Sequence, residues 1–93
     1  METIALTRQA EREVRALPVA SRRQLQRSLG RLAAGQAGLD IKPLAGRGPW
    51  KRLRVGDYRV LYRTVDAAEH PTYRWLVARV VNRRDLERAV QTL

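Results

Sequence analysis

The fold is decided by the stretch Trp50-Lys51-Arg52-Leu53-Arg54-Val55-Gly56-Asp57-Tyr58-Arg59-Val60-Leu61-Tyr62-Arg63, in which two alternating runs are joined by a Gly-Asp turn. Successive side chains of a strand point to opposite faces of a sheet. Leu53 and Val55 are therefore predicted to enter a core, while Trp50, Arg52 and Arg54 share the other face. The stretch predicts a β-hairpin with one apolar and one cationic face.

The cationic face suggests a ligand rich in phosphate. Guanidinium groups are planar and permanently charged, so they bind phosphate in a fork geometry that ammonium groups lack. Trp50 adds an aromatic ring on which an unpaired base can stack, and the combination favours RNA. Two alternatives stay open at this point. The arginines can simply keep an exposed sheet face solvated, and Trp50 can pack in the core or at a sheet edge.

The composition predicts a single small domain over residues 1–93. An apolar fraction of 44% fits a folded globule rather than a basic disordered tail. A formal net charge of +10 predicts a polyanionic or strongly acidic partner. The chain has no cysteine, which excludes a disulfide scaffold and a thiolate zinc site. The lone His70 lies in a predicted turn, so neither a metal nor a cofactor is expected.

The beginning of the chain suggests a cytoplasmic location. Residues 1–6 show no basic leader followed by an apolar core, and no later run approaches the length of a membrane span. No membrane partner is therefore expected.

Apolar spacing and turn residues predict seven elements around the hairpin. The helices should be separated by Pro18, and a loop should run from Gly35 to Pro49. The expected order is a strand (Thr3 to Leu6), a helix capped by Thr7, a helix (Val19 to Ala34), three strands (Trp50 to Val55, Tyr58 to Val65, Thr72 to Asn82) and a short helix near Leu86 to Val90. The fold class is α+β, with an N-terminal strand and a helical hairpin packed on an antiparallel sheet. All the helices are expected on one face of the sheet, and the other face is expected to be partly open.

The element order, the hairpin and the late Asn82-Arg83-Arg84-Asp85-Leu86 resemble the RelE/ParE superfamily of bacterial type II toxin-antitoxin toxins, on the RelE-like side. The resemblance covers nearly the whole chain. It implies the RelE-like microbial ribonuclease fold and a cognate acidic antitoxin as partner. RelE-like members are ribosome-dependent endonucleases that cut messenger RNA in the decoding site. ParE-like members inhibit DNA gyrase without cutting nucleic acid, and this is the alternative function.

The family pattern also implies a set of site residues. The catalytic cations fall on Arg52, Arg54, Arg59 and Arg83. Lys51 joins them if a bulge or a one-residue shift turns it to the same face. Outside the reacting phosphate, the residues expected to bind RNA are Lys42, Arg47, Trp50 and Arg84. For Arg84 an ordinary surface role is an equal alternative.

The expected chemistry is attack by the ribose 2′-hydroxyl on the adjacent phosphorus, which needs no metal. Arg59 and Arg83 would clamp the scissile phosphate, with Arg52 and Arg54 neutralising the flanking backbone. Many RelE-like toxins carry a tyrosine after the terminal basic residue, and the comparable position here is Glu87 or a neighbour. Because arginine stays protonated, the sequence leaves the general base unassigned.

Overall fold

A five-stranded mixed sheet forms the centre of the protein in a computed structural model that describes residues 3–93. Met1 and Glu2, the start of the predicted domain, lie outside the described residues. The elements are β1 (Ile4–Leu6), α1 (Arg8–Arg15), α2 (Val19–Ala33), β2 (Ile41–Pro43), β3 (Lys51–Val55), β4 (Tyr58–Thr64), β5 (Trp75–Asn82), a 3₁₀ turn (Arg83–Asp85) and α3 (Leu86–Val90). The strand order is β1-β5-β4-β3-β2. The predicted α+β class is confirmed.

The two long helices begin where the sequence predicts, and α2 ends one residue before the predicted Ala34. The Thr7 hydroxyl accepts the Ala10 N–H at 3.1 Å, which caps α1, and it donates to the Ala78 carbonyl of β5 at 2.9 Å. Pro18 precedes α2, where a missing N–H costs nothing because the first turn of a helix leaves its N–H groups unpaired. One threonine thus joins the start of α1 to the sheet.

The main core lies between the sheet and the helices α1 and α2. Strands β3 and β4 alternate as predicted, so every second side chain enters this core. The buried members are Ile4, Ala10, Leu25, Leu29, Leu32, Leu53, Val55, Val60, Tyr62, Val77 and Val80. Burial raises the pKa of the Tyr62 phenol, because the charged form loses its hydration there.

A smaller core lies on the opposite face of the sheet, which corrects the prediction that the helices share one face. There Leu61 and Val81 are buried against Ala89 of α3. Leu61 faces this side because it lies between Val60 and Tyr62, which both enter the main core. Helix α3 therefore covers part of this face, which was expected to be partly open and free of helices.

A β-bulge in β5 explains how this strand serves both cores. Leu61 pairs with Arg79 and Tyr62 pairs with Val77, so Ala78 is the extra residue. Unbroken alternation from Val77 would turn Val80 away from the helices. The bulge returns Val80 to the main core and places Val81 against α3.

Two features of the sheet differ from the prediction. The segment Gly35 to Pro49 is not entirely a loop, because Ile41–Pro43 pairs antiparallel with β3 as the edge strand β2. The surrounding glycines and prolines predict a loop, so a strand of three residues is not detected in the sequence. Pro43 is tolerated in β2 because β2 lies at the edge of the sheet. In addition, β1 pairs with β5 in parallel, so the sheet is mixed rather than wholly antiparallel.

The turn of the β3–β4 hairpin depends on a glycine. Gly56 has φ +57°, and a Cβ there would lie 3.2 Å from the Gln24 side-chain oxygen. We expect Gly56→Ala to lower the free energy of unfolding by about 1–2 kcal/mol, the cost of a left-handed conformation for an L-residue. Gly30→Ala, inside α2 with open space around the new methyl, should instead raise it by about 0.5–1 kcal/mol. Urea unfolding measures both changes, and the same sign for the two variants would contradict this account.

Candidate nucleic-acid interface

Four arginines converge on the sheet face opposite α1 and α2. Arg54 and Arg59 are directly opposed across β3 and β4, and Arg52 is opposed to Leu61, which lies on this same face. Arg83 follows the end of β5, where its N–H donates to the Asp57 carbonyl of the hairpin turn at 2.8 Å. We call these residues, Arg52, Arg54, Arg59 and Arg83, the arginine cluster.

The electrostatics of Arg59 reflect this convergence. Partial burial lowers the pKa of its guanidinium first, and repulsion from Arg54, Arg52 and Arg83 lowers that pKa further. Asp40 acts in the opposite direction and raises it. The four cations and one carboxylate therefore lie within electrostatic reach of one point, so an anion arriving there would relieve the repulsion.

The members of the cluster differ in the partners they already have. The Arg59 guanidinium donates to the carbonyls of Gly56 and Tyr58, at 3.0 Å each, which fixes it over the hairpin turn. Arg52 is largely buried and pairs with Asp40 at 3.1 Å. Arg54 and Arg83 are exposed, and no carboxylate within residues 3–93 lies within 4 Å of either. An anion that binds Arg54 or Arg83 therefore displaces no ion pair.

The two predicted lysines lie on opposite faces of the sheet. Lys42 of β2 is exposed and opposed to Arg52, so it extends the cationic face. Lys51 is opposed to Tyr62, a main-core residue, and therefore lies on the side of α1 and α2. The β3–β4 register is unbroken, so the bulge that would have turned Lys51 toward the cluster is not there.

Trp50 is half-buried and lies beneath a neighbouring cation. The Arg63 guanidinium is 5.9 Å from the centre of the Trp50 ring, within the range of a cation–π contact. Glu69 holds Arg63 from the other side at 2.9 Å. One face of the indole is thus already occupied by protein.

Arg47 and Arg84 both have partners within the chain. Arg47 donates to the Gln91 side chain at 3.1 Å, which ties the loop after β2 to the end of α3. Arg84 donates through Nε to the Asn82 carboxamide oxygen at 3.2 Å. Arg84 also lines an open recess of about 330 Å³, shared with Asp57, Asn82 and Arg83. The structure therefore brings Arg84 beside the cluster and leaves Arg47 at the C-terminal helix.

Asp40 belongs to the interface but was missed from the sequence. Its carbonyl accepts the Arg54 N–H at 2.9 Å, which continues the β2–β3 pairing by one residue. That pairing places its carboxylate beside Arg52. The only signal that could have found Asp40 is the strand β2, which lies inside a segment predicted as a loop.

Two further observations describe what these residues can hold. Within residues 3–93, no group of three histidine, aspartate or glutamate side chains is arranged to hold a metal ion. In the same part of the chain, no helix is long and apolar enough to cross a membrane.

The fold and the cluster define a small α+β protein with a cationic sheet face and helices on both sides of its sheet. No protein-family model and no curated protein sequence matches the chain. Solved structures do. The RelB-RelE antitoxin-toxin complex from Methanococcus jannaschii includes a chain with a TM-score of 0.72 at 18% identity, covering 91% of this chain and 96% of that one.

Two more solved structures are similar. The isolated E. coli RelE toxin has a TM-score of 0.69 at 18% identity, and all of both chains is covered. The archaeal RelE-RelB complex from Pyrococcus horikoshii OT3 has a TM-score of 0.66 at 23% identity, covering 88% of this chain and 94% of that one. The chain therefore has the RelE fold, and the resemblance seen in its sequence is confirmed at the level of the fold.

Proposed function

We propose that this protein is the toxin of a toxin-antitoxin pair and a ribosome-dependent endonuclease that cuts messenger RNA in the cytoplasm. The observation that carries the proposal is the arginine cluster on a RelE fold. Four like charges around one point cost repulsion, and surface arginines that only aid solubility need not converge. Proteins tolerate such unfavourable arrangements, here the clustering of like charges, mainly at functional sites.

The reaction that fits these residues is transfer of a phosphodiester to the neighbouring ribose 2′-oxygen. Negative charge gathers on the phosphoryl oxygens in the transition state, and preorganised guanidinium groups stabilise it. Arg59 is held rigid by two carbonyls and Arg83 is exposed beside it, so these two suit the scissile phosphate. Arg52 and Arg54 suit the flanking backbone.

The direct test is incubation of the purified protein with translating ribosomes, followed by mapping of new 5′ ends in the messenger RNA. We expect cleavage at positions within the ribosomal decoding site and none on the same RNA without ribosomes. Messenger RNA that stays intact on translating ribosomes would contradict the nuclease function.

A ParE-like inhibitor of DNA gyrase is the alternative that the sequence left open. It would need no proton-transfer residue, which agrees with the missing tyrosine. It is less favoured because the similar structures described above are RelE toxins. A gyrase supercoiling assay tests it directly, and inhibition there without cleavage of messenger RNA would favour it.

We propose an acidic antitoxin as the second partner. Two of the similar structures are complexes of RelE with RelB, and a domain with a net charge of +10 gains from an acidic segment. Such a segment can fold as it binds, so that it neutralises charge and covers the arginine cluster at once.

Lys42 provides a test of simple phosphate binding. It is exposed and opposed to Arg52, at the outer margin of the cationic face. We expect Lys42→Ala to weaken binding of single-stranded RNA. The slope of log affinity against log salt should fall in magnitude by about 0.7, the contribution of one phosphate contact to a single strand. The control is Arg23→Ala, an exposed cation on α2, which removes the same charge from the far side. Equal slopes for the two variants would show that Lys42 makes no contact with phosphate.

A further inference from the structure

We propose that the Asp40 carboxylate accepts the proton of the attacking 2′-hydroxyl, an inference that rests on the nuclease function proposed above. Arginines stabilise charge but stay protonated, so the cluster by itself has no group that can take a proton. A site of this kind needs a base within hydrogen-bond reach of the ribose. Within residues 3–93, the carboxylate that pairs with a member of the cluster is Asp40.

The position of Asp40 is fixed by the sheet. Its carbonyl accepts the Arg54 N–H at 2.9 Å, and its Oδ1 accepts from the Arg52 guanidinium at 3.1 Å. Its charge acts on Arg59 across the intervening strand β3. About half of the side chain is exposed, so an RNA backbone lying on the cluster can approach the carboxylate.

The main competitor for this role is Asp57, at the hairpin turn. It lines the recess beside Arg83. However, within residues 3–93 no salt bridge joins Asp57 to any of the four arginines, whereas Asp40 pairs with Arg52 at 3.1 Å. The observations therefore favour Asp40, whose carboxylate contacts a member of the arginine cluster.

The Arg52–Asp40 pair indicates how binding could prepare the base. A phosphate and the Asp40 carboxylate are both anions that can pair with the Arg52 guanidinium. A phosphate that binds Arg52 therefore replaces the carboxylate as its partner. Asp40 then keeps its negative charge beside the ribose while losing its cation. Once Arg52 is engaged by the phosphate, the Asp40 oxygens are free to accept the proton of the 2′-hydroxyl.

The step balances as a transesterification. The 2′-oxygen forms a bond to phosphorus, the bond from phosphorus to the 5′-oxygen breaks, and the hydroxyl proton passes to an Asp40 oxygen. The leaving 5′-oxygen takes a proton from water, and Asp40 returns its proton to the solvent. The products are a 2′,3′-cyclic phosphate and a 5′-hydroxyl, and no water is consumed.

Asp40→Asn is the decisive variant, because it keeps the shape and the backbone bonds while removing the basic group. On ribosomes programmed with messenger RNA, we expect the single-turnover cleavage rate to fall by about 100-fold or more. Affinity for those ribosomes should stay the same or increase, since a negative charge has left a cationic surface. Asp40→Glu should recover part of the rate.

The matched control is Glu11→Gln, the same change of charge on an exposed residue of α1. It should cleave at the wild-type rate, and urea unfolding should show that both variants fold. If Asp40→Asn cleaves as fast as the control, or loses affinity while keeping its rate, the inference is wrong and the nuclease function stands. A larger loss of rate in Asp57→Asn would likewise overturn it. If the wild-type protein cuts nothing on ribosomes, the nuclease function and this inference fail together.

Discussion

Arg83→Ala is expected to lower the rate of messenger RNA cleavage on saturating ribosomes by about 100- to 1000-fold, the usual effect of removing one preorganised donor to a developing negative charge. Arg83 is exposed, and no carboxylate of the described chain lies within 4 Å of it. Its charge is therefore available to the scissile phosphate. Because that contact strengthens mainly in the transition state, affinity for the ribosome should fall much less than the rate.

Ribosome affinity and the single-turnover cleavage rate of Arg83→Ala, measured separately, test whether the rate falls much more than the affinity. Arg23→Ala, which removes one exposed cation from the opposite side of the sheet, is the control and should cleave at the wild-type rate. If Arg83→Ala loses rate and affinity by the same factor, Arg83 only anchors the backbone. The clamp would then have to consist of other members of the cluster.

Leu53→Ala is expected to lower the free energy of unfolding by about 2–5 kcal/mol, through lost burial and the cavity left behind. Leu53 is fully buried in the main core, and its neighbours along β3 are the exposed Arg54 and the largely buried Arg52. A domain of this size has a total stability of only about 5–15 kcal/mol, so the variant could lose much of its folded population. Urea unfolding monitored by tryptophan fluorescence measures the change.

Val19→Ala is the matched control for this effect. Val19 is 54% exposed at the start of α2, so its truncation should change the free energy of unfolding by less than about 0.5 kcal/mol. A loss for Leu53→Ala no greater than the loss for Val19→Ala would mean that the centre of β3 does not support the core.

Much of the fold follows from the sequence because the strongest signals are local. Alternation on both sides of the Gly56-Asp57 turn determines the hairpin, and a 3.6-residue apolar period determines α2. Strand β2 was missed because it is three residues long and depends on pairing with β3. The parallel pairing of β1 and the bulge at Ala78 likewise depend on partners distant in sequence, which no local pattern reveals.

The candidate site could be predicted in part for the same reason. Arg52, Arg54 and Arg59 share a face by alternation alone, and the structure does place them together. Lys51 lies on the other face, as strict alternation also indicates. Asp40 could not be found, because its place beside Arg52 arises from β2. Its catalytic role, like those of the arginines, is a prediction for the experiments above.

The short edge strand β2 has a consequence for how the protein behaves at high concentration. Its three residues include Lys42, which repels a like-charged neighbour, and Pro43, which offers no N–H to an incoming strand. Copies of the chain therefore cannot readily stack edge to edge on this side into a continuous sheet. That protection matters because an unpaired sheet edge is a template on which another chain can pair.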